Sequence, residues 1–136
     1  MDRRTFLTLT AGACALPFAA TAAPMAYTPG LVQERLQAGD TVFLDFKADW
    51  CSTCAAQERV IKALKDQNPD YEANITFIDV DWDAFGDSEL ATSLRIPRRS
   101  TLVVLKGEQE LGRLVAQTSQ SAIKGLMDTA LGAAVG

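Results

Sequence analysis

The chain is 136 residues long, 48% hydrophobic and 22% charged, with a formal net charge of −4. That length suits one compact domain, and the mildly acidic balance argues against nucleic acid, which needs a basic footprint. Three cysteines stand beside no histidine at all.

The chain opens with a targeting pattern. Asp2-Arg3-Arg4-Thr5-Phe6-Leu7 is a positive cluster that runs into an apolar stretch through Ala20, and small residues follow at Ala20-Thr21-Ala22-Ala23. This is the layout of a cleavable export signal over residues 1–22 with an A-x-A cleavage site. The paired arginines before Phe6 and Leu7 give it a twin-arginine character. Gly12, Pro17 and the threonines leave the apolar run short of the ~20 residues that a membrane span requires. Cys14 falls inside this signal as a small apolar residue of its core, because Ala11-Gly12-Ala13 lacks the large aliphatic residue that lipid attachment needs. Residues 23–136 then form one domain, without internal repeats, and Cys51 and Cys54 are its only cysteines.

Within that domain Thr28-Pro29 predicts a helix start, with Thr28 as N-cap, Pro29 at the first helical position and Gly39 at the exit. Val42 to Phe46 reads as a short strand, nearly continuous in apolar residues because both faces are covered. Ala55 to Leu64 reads as a helix with a Val60, Ile61 and Leu64 stripe, stopping before Pro69. Ile75 to Val80 is a second strand, followed by an acidic irregular stretch, Asp79-Val80-Asp81-Trp82-Asp83. Asp87 or Ser88 caps a short helix carrying Leu90 and Leu94. Thr101 to Leu105 is the third strand. A turn at Lys106-Gly107-Glu108-Gln109 returns the chain as an antiparallel fourth strand, Leu111 to Val115. A last helix starts at Ser119 or Ser121, with Ile123, Leu126, Met127 and Leu131 on one side. Alternating strands and helices predict an α/β fold with a mixed sheet between helix layers.

The most informative words of the chain are Trp50-Cys51-Ser52-Thr53-Cys54, placed where the first strand ends and the long helix begins. Thiols at this spacing bind a metal or cycle between dithiol and disulfide. Structural zinc wants four ligands from cysteine and histidine, and carboxylates such as Asp45 or Asp49 would be unusual substitutes, so no metal is expected. A purely structural bridge would close a tiny loop, where chain entropy gives the least stabilisation. Redox chemistry is the better-supported reading.

The run from Val42 to Cys54, with Thr101-Leu102-Val103-Val104-Leu105-Lys106-Gly107, resembles the thioredoxin superfamily over essentially the whole of residues 23–136. The Ala48-Asp49-Trp50-Cys51 wording is closest to thioredoxin-like domains of bacterial periplasmic thiol-disulfide interchange proteins. The resemblance implies a thioredoxin-like fold, a four-stranded mixed sheet covered by helices on both faces. Cys51, at the helix N-terminus, meets unpaired N–H groups and the positive dipole end, which favour a thiolate. It is therefore expected to attack a substrate disulfide, and Cys54, one turn later, to resolve the mixed disulfide. Asp45, by the resemblance, matches the buried aspartate that helps deprotonate the resolving cysteine. Burial should raise its pKa, whereas an exposed strand end would leave it an ordinary carboxylate. Trp50 is expected beside the sulfurs on the docking surface, and Asp49 as a solvated charge.

Two positions depart from the family pattern. Thr53 stands where proline often precedes the second cysteine, and Ser52 and Thr53 together are expected to tune the potential. With no histidine between the cysteines, the pattern points away from a strong oxidant. The family also places a cis-proline before the third strand. Anchoring on Ile96-Pro97 gives that role to Pro97, with three extra residues. Anchoring on Thr101 to Gly107 needs no gap and puts Ser100 there. The second is preferred, with a trans Arg99–Ser100 bond, since a cis bond before serine would cost about 2.5–4 kcal/mol. Ser100, Arg99 and Thr101 then line the substrate groove, with Arg98 nearby; the two arginines read equally as solvated loop charges.

The expected function is an exported, periplasmic, monomeric thiol-disulfide oxidoreductase that reduces protein disulfides without a cofactor. A membrane thiol carrier is its expected electron donor. The competing expectation is a thioredoxin-like binding module whose Cys51–Cys54 disulfide is inert.

Overall fold

A computed structural model describes residues 23–136, so residues 1–22, where an export signal is expected and where Cys14 falls, lie outside the described residues. The chain order is β1 (Met25–Ala26), α1 (Leu31–Gln37), β2 (Thr41–Lys47), α2 (Ser52–Gln67), α3 (Asp70–Asn74), β3 (Thr76–Asp81), α4 (Trp82–Phe85), α5 (Glu89–Ser93), β4 (Thr101–Lys106), β5 (Gln109–Val115) and α6 (Gln120–Val135). The sheet has five strands in the order β1-β3-β2-β4-β5. Strands β1, β3 and β2 run parallel, and β4 and β5 join antiparallel.

The fifth strand is the two-residue β1, which pairs at the sheet edge with Ile78 and Asp79. Two residues give no alternation to read, so the sequence predicts four strands and the sheet has five. The first helix also starts later than Thr28-Pro29 suggests. Gly30 is its N-cap at φ 92°, and no side chain caps it. Gly39, at φ +93°, follows the helix in the left-handed conformation that glycine adopts without steric cost. Ser88 and Ser119 cap α5 and α6 by accepting from the N–H groups of Ala91 and Ala122. The acidic stretch after β3 is ordered as α4, capped by the Asp81 carboxylate.

Strand β2 is central, which explains its apolar continuity. Phe43 packs with Ile61 and Leu64 of α2 and with Ile123, Leu126 and Met127 of α6 on one face of the sheet. Val42, Leu44 and Phe46 pack with Val32, Ala91 and Ile96 on the other. Period-two alternation puts Asp45 on the Phe43 face, under α2. At Gly112 of β5 a Cβ would lie 2.9 Å from Leu126 Cδ1 of α6, so that leucine side chain would have to shift.

Candidate functional site

Strand β2 ends at Lys47, at the C-terminal end of the parallel strands, and residues 48–50 turn to bring Cys51 to the start of α2. Cys51 has extended backbone (φ −94°, ψ 112°), and its Sγ takes the place of a capping oxygen. The Cys54 N–H donates to it at 3.1 Å. Cys51 and Cys54 are joined as a disulfide with Cα atoms 5.2 Å apart. An N-terminal N–H aimed at Cys51 Sγ, with the dipole behind it, favours negative charge on that sulfur. Both cysteines are buried, at 4% and 1% exposure. Ser52 is exposed and Thr53 half-buried in the first turn of α2.

Ser100 is the residue opposite the sulfurs. Its Oγ lies 3.1 Å from Cys51 Sγ and 3.1 Å from Cys54 Sγ. Pro97, three residues earlier, is exposed. No peptide bond among the described residues is cis. Instead Ser100 adopts φ +66°, a left-handed conformation that costs a non-glycine residue on the order of 1–3 kcal/mol. Three latches hold it. The Ser100 N–H donates to Phe46 O (2.7 Å), and the Ser100 carbonyl accepts from the Ala116 N–H (2.8 Å) and from Gln57 Nε2 (3.0 Å). A proline here would forfeit the first of these.

Gln57 is a site residue that the sequence reading missed. It is fully buried on α2 and donates to both Ser100 O and Gln117 O. Both partners are carbonyls, which only accept, so the amide nitrogen must face them; Oε1 is left buried without a partner. The signal was present: Gln57 falls in helical step with Ile61 and Leu64, a polar residue at the head of an apolar stripe.

Asp45, on the α2 side of β2, is 5% exposed, with Oδ1 unpartnered. Burial, then the nearby Asp79 charge, pushes its pKa up to about 7, against the pull of Lys47. Asp79 is its register partner on β3 and is itself shifted upward, first by burial. Lys47 stands between carboxylates, paired with Glu58 and 3.7 Å from Asp79. Burial works against its charge, but those anions outweigh it and raise its pKa. A cavity of about 390 Å³ opens beside this cluster, lined by Asp45, Lys47, Glu58, Lys65 and Asp79 among others. Among the described residues no three His, Cys, Asp or Glu side chains are grouped to hold a metal ion.

Trp50 is 60% exposed. Its Nε1–H donates to both Asp83 carboxylate oxygens (3.0 and 3.1 Å), and the Arg99 guanidinium lies 4.5 Å from its ring centroid. The half-buried aromatic packed against Ala48, Cys51 and Cys54 is Trp82 at the start of α4, which the sequence reading left in an irregular stretch. Thr101 is buried and donates to Arg98 O at 2.7 Å. Asp49 is exposed.

Comparison with known proteins places this arrangement. The family model described as Thioredoxin matches residues 26–129. Thioredoxin H2-1 of Oryza sativa subsp. japonica is 34% identical over 74 residues, 54% of this chain and 49% of that protein. The mitochondrial Thioredoxin-2 of Schizosaccharomyces pombe is 32% identical over 81 residues, 60% of this chain and 56% of its own. The chain thus spans about half the length of these curated relatives. Trxlp from Edwardsiella tarda EIB202 superposes with a TM-score of 0.65 and 27% identity, over 76% of this chain and 98% of that one. These relatives are plant and mitochondrial thioredoxins and a bacterial Trxlp, not specifically periplasmic interchange domains.

Proposed function

The chain belongs to the thioredoxin family, and from that premise we propose that it is a thiol-disulfide oxidoreductase that reduces disulfides in protein substrates. The observation that carries this is the Cys51–Cys54 disulfide at the head of α2, with Cys51 Sγ accepting the Cys54 N–H. In the reduced protein the Cys51 thiolate attacks one sulfur of a substrate disulfide. The substrate S–S bond breaks, and its electron pair leaves on the departing sulfur, which takes a proton from solvent. Cys54 then gives its proton to Asp45 and attacks Cys51 Sγ, expelling the second substrate thiolate, which is protonated in turn. The substrate gains two electrons and two protons, and the protein is left with the disulfide.

In this reading Asp45 is the proton acceptor, with a pKa near the working pH. Trp50 and Arg99 offer the docking surface beside the disulfide, with the buried Ser100 and Thr101 behind them, and Ser52 and Thr53 tune its potential. One observation favours the other reading, a binding module with an inert bridge: Cys51 is only 4% exposed. Insulin reduction by a dithiol-recharged protein separates the two. Turnover, with a reduction potential near about −270 mV rather than about −120 mV, is the expected result. An unreactive disulfide sinks the proposal.

We further propose export to the periplasm, supported by the Arg3-Arg4 cluster, the apolar run and the Ala20-Thr21-Ala22 site. A periplasmic reductase would draw electrons from a membrane thiol carrier. Fractionation with N-terminal sequencing tests this: a periplasmic protein beginning near Ala23 is expected, and an uncleaved cytoplasmic one overturns it.

A further inference from the structure

We propose that Ser100 is a catalytic residue: its buried hydroxyl donates a hydrogen bond to the Cys51 thiolate and then to the Cys54 thiolate, with Gln57 as the positioning residue that holds it there. This rests on the dithiol relay proposed above and concerns how charge is managed between its two sulfurs.

The geometry comes first. Ser100 Oγ is equidistant, 3.1 Å, from both sulfurs, and the residue is wholly buried. A hydroxyl carries one hydrogen and two lone pairs. It can donate to one sulfur while accepting from the other, and rotation of the O–H bond alone exchanges the two. In the reduced protein it donates to the Cys51 thiolate and accepts from the Cys54 S–H, so one thiol stays charged and its neighbour stays protonated. When Cys51 enters the mixed disulfide, its sulfur becomes neutral and is a weak acceptor. The hydroxyl hydrogen then turns to Cys54, favouring the thiolate that must attack next. No proton leaves Ser100 at either stage.

The surrounding structure is built to fix this oxygen. Ser100 sits at φ +66°, which no isolated serine favours, because β2, the chain after β5 and α2 each hold its backbone. Gln57 supplies the α2 latch, and it spends a fully buried amide on two loop carbonyls, those of Ser100 and Gln117. Such a polar group is expensive in an apolar helix face. Burial also strengthens the hydrogen bond to sulfur, because water does not compete there.

The test reads the Cys51 pKa, from the pH dependence of alkylation of the reduced protein, alongside insulin reduction. Ser100→Gly removes the hydroxyl and relaxes the positive φ, so it is the variant that keeps the fold; Ser100→Ala repeats the loss on the strained backbone. Hydrogen bonds to ionised groups are the strong class, so the Cys51 thiolate fraction at acidic pH should fall about tenfold in both variants. At a pH above the Cys51 pKa of both proteins, the reduction potential should become more negative by about 30 mV, the same tenfold in thiolate stabilisation expressed for a two-electron couple. Gln57→Leu should shift the Cys51 pKa the same way in the wild-type background, and should add nothing in Ser100→Gly. A Cys51 pKa unchanged in Ser100→Gly overturns the proposal while insulin turnover leaves the oxidoreductase reading standing. A Gln57→Leu shift that persists in Ser100→Gly overturns the positioning role. A wild-type disulfide that never turns over fails the underlying reading instead.

Discussion

Asp45→Asn isolates the electrostatic cost of the buried carboxylate on β2. An unfolded aspartate titrates near about 3.9, whereas in the folded protein burial and Asp79 push Asp45 up to about 7. The folded pKa is raised, so the folded state holds this proton more tightly. Stability is therefore greatest below the unfolded pKa and is lost as pH rises through the folded one. At about 1.4 kcal/mol per pKa unit the full penalty above pH 7 is about 4 kcal/mol, a large share of a typical stability of about 5–15 kcal/mol. Asparagine matches the neutral acid in shape and does not titrate. Urea unfolding of the disulfide form, which keeps cysteine titration out of the measurement, should find Asp45→Asn more stable than wild type. The gap should grow from roughly 1–2 kcal/mol at pH 5 to about 4 kcal/mol at pH 8. Lys47 on β2, Glu58 and Lys65 on α2 and Asp79 on β3 all act on this carboxyl, but they are common to both proteins. Parallel stability curves for the two proteins between pH 5 and pH 8 would refute the reasoning, whatever their vertical offset.

Asp79→Asn removes the like charge paired in register with Asp45, so the Asp45 pKa should fall, which carboxyl NMR titration reads directly; the pH at which the stability loss levels off should fall with it, and the total loss should shrink. Cys51→Ser should abolish insulin reduction, and Cys54→Ser should accumulate substrate mixed disulfides on non-reducing gels, whereas trapping by Cys51→Ser instead would reverse the two roles. Ser119→Ala deletes the side chain that accepts from the Ala122 N–H at the start of α6; a loss of about 1 kcal/mol in urea unfolding is expected, and no loss would mean the cap is idle.

Local chemistry made much of this protein legible before any fold was known. The long helices, β3 and β4, and the caps at Ser88 and Ser119 follow from periodicity and from side chains that satisfy N–H groups a few residues away. The apolar run around Asp45 and the Cys51–Cys54 pair at a strand-to-helix junction are equally local signals, and they point to a buried acid and a redox pair. What needed the tertiary structure lies far along the chain. Ser100 reaches Cys51 from 49 residues away, and Gln57 reaches Ser100 from 43. Only the antiparallel docking of β4 on β2, which hands the Ser100 N–H to Phe46 O, fixes that loop at positive φ and aims its hydroxyl between the sulfurs. The Asp45–Asp79 pairing, the placement of Trp82 against the cysteines and the two-residue β1 have the same origin. Sheet register assigns neighbours that no sequence spacing encodes, and a strand of two residues carries no period to be read.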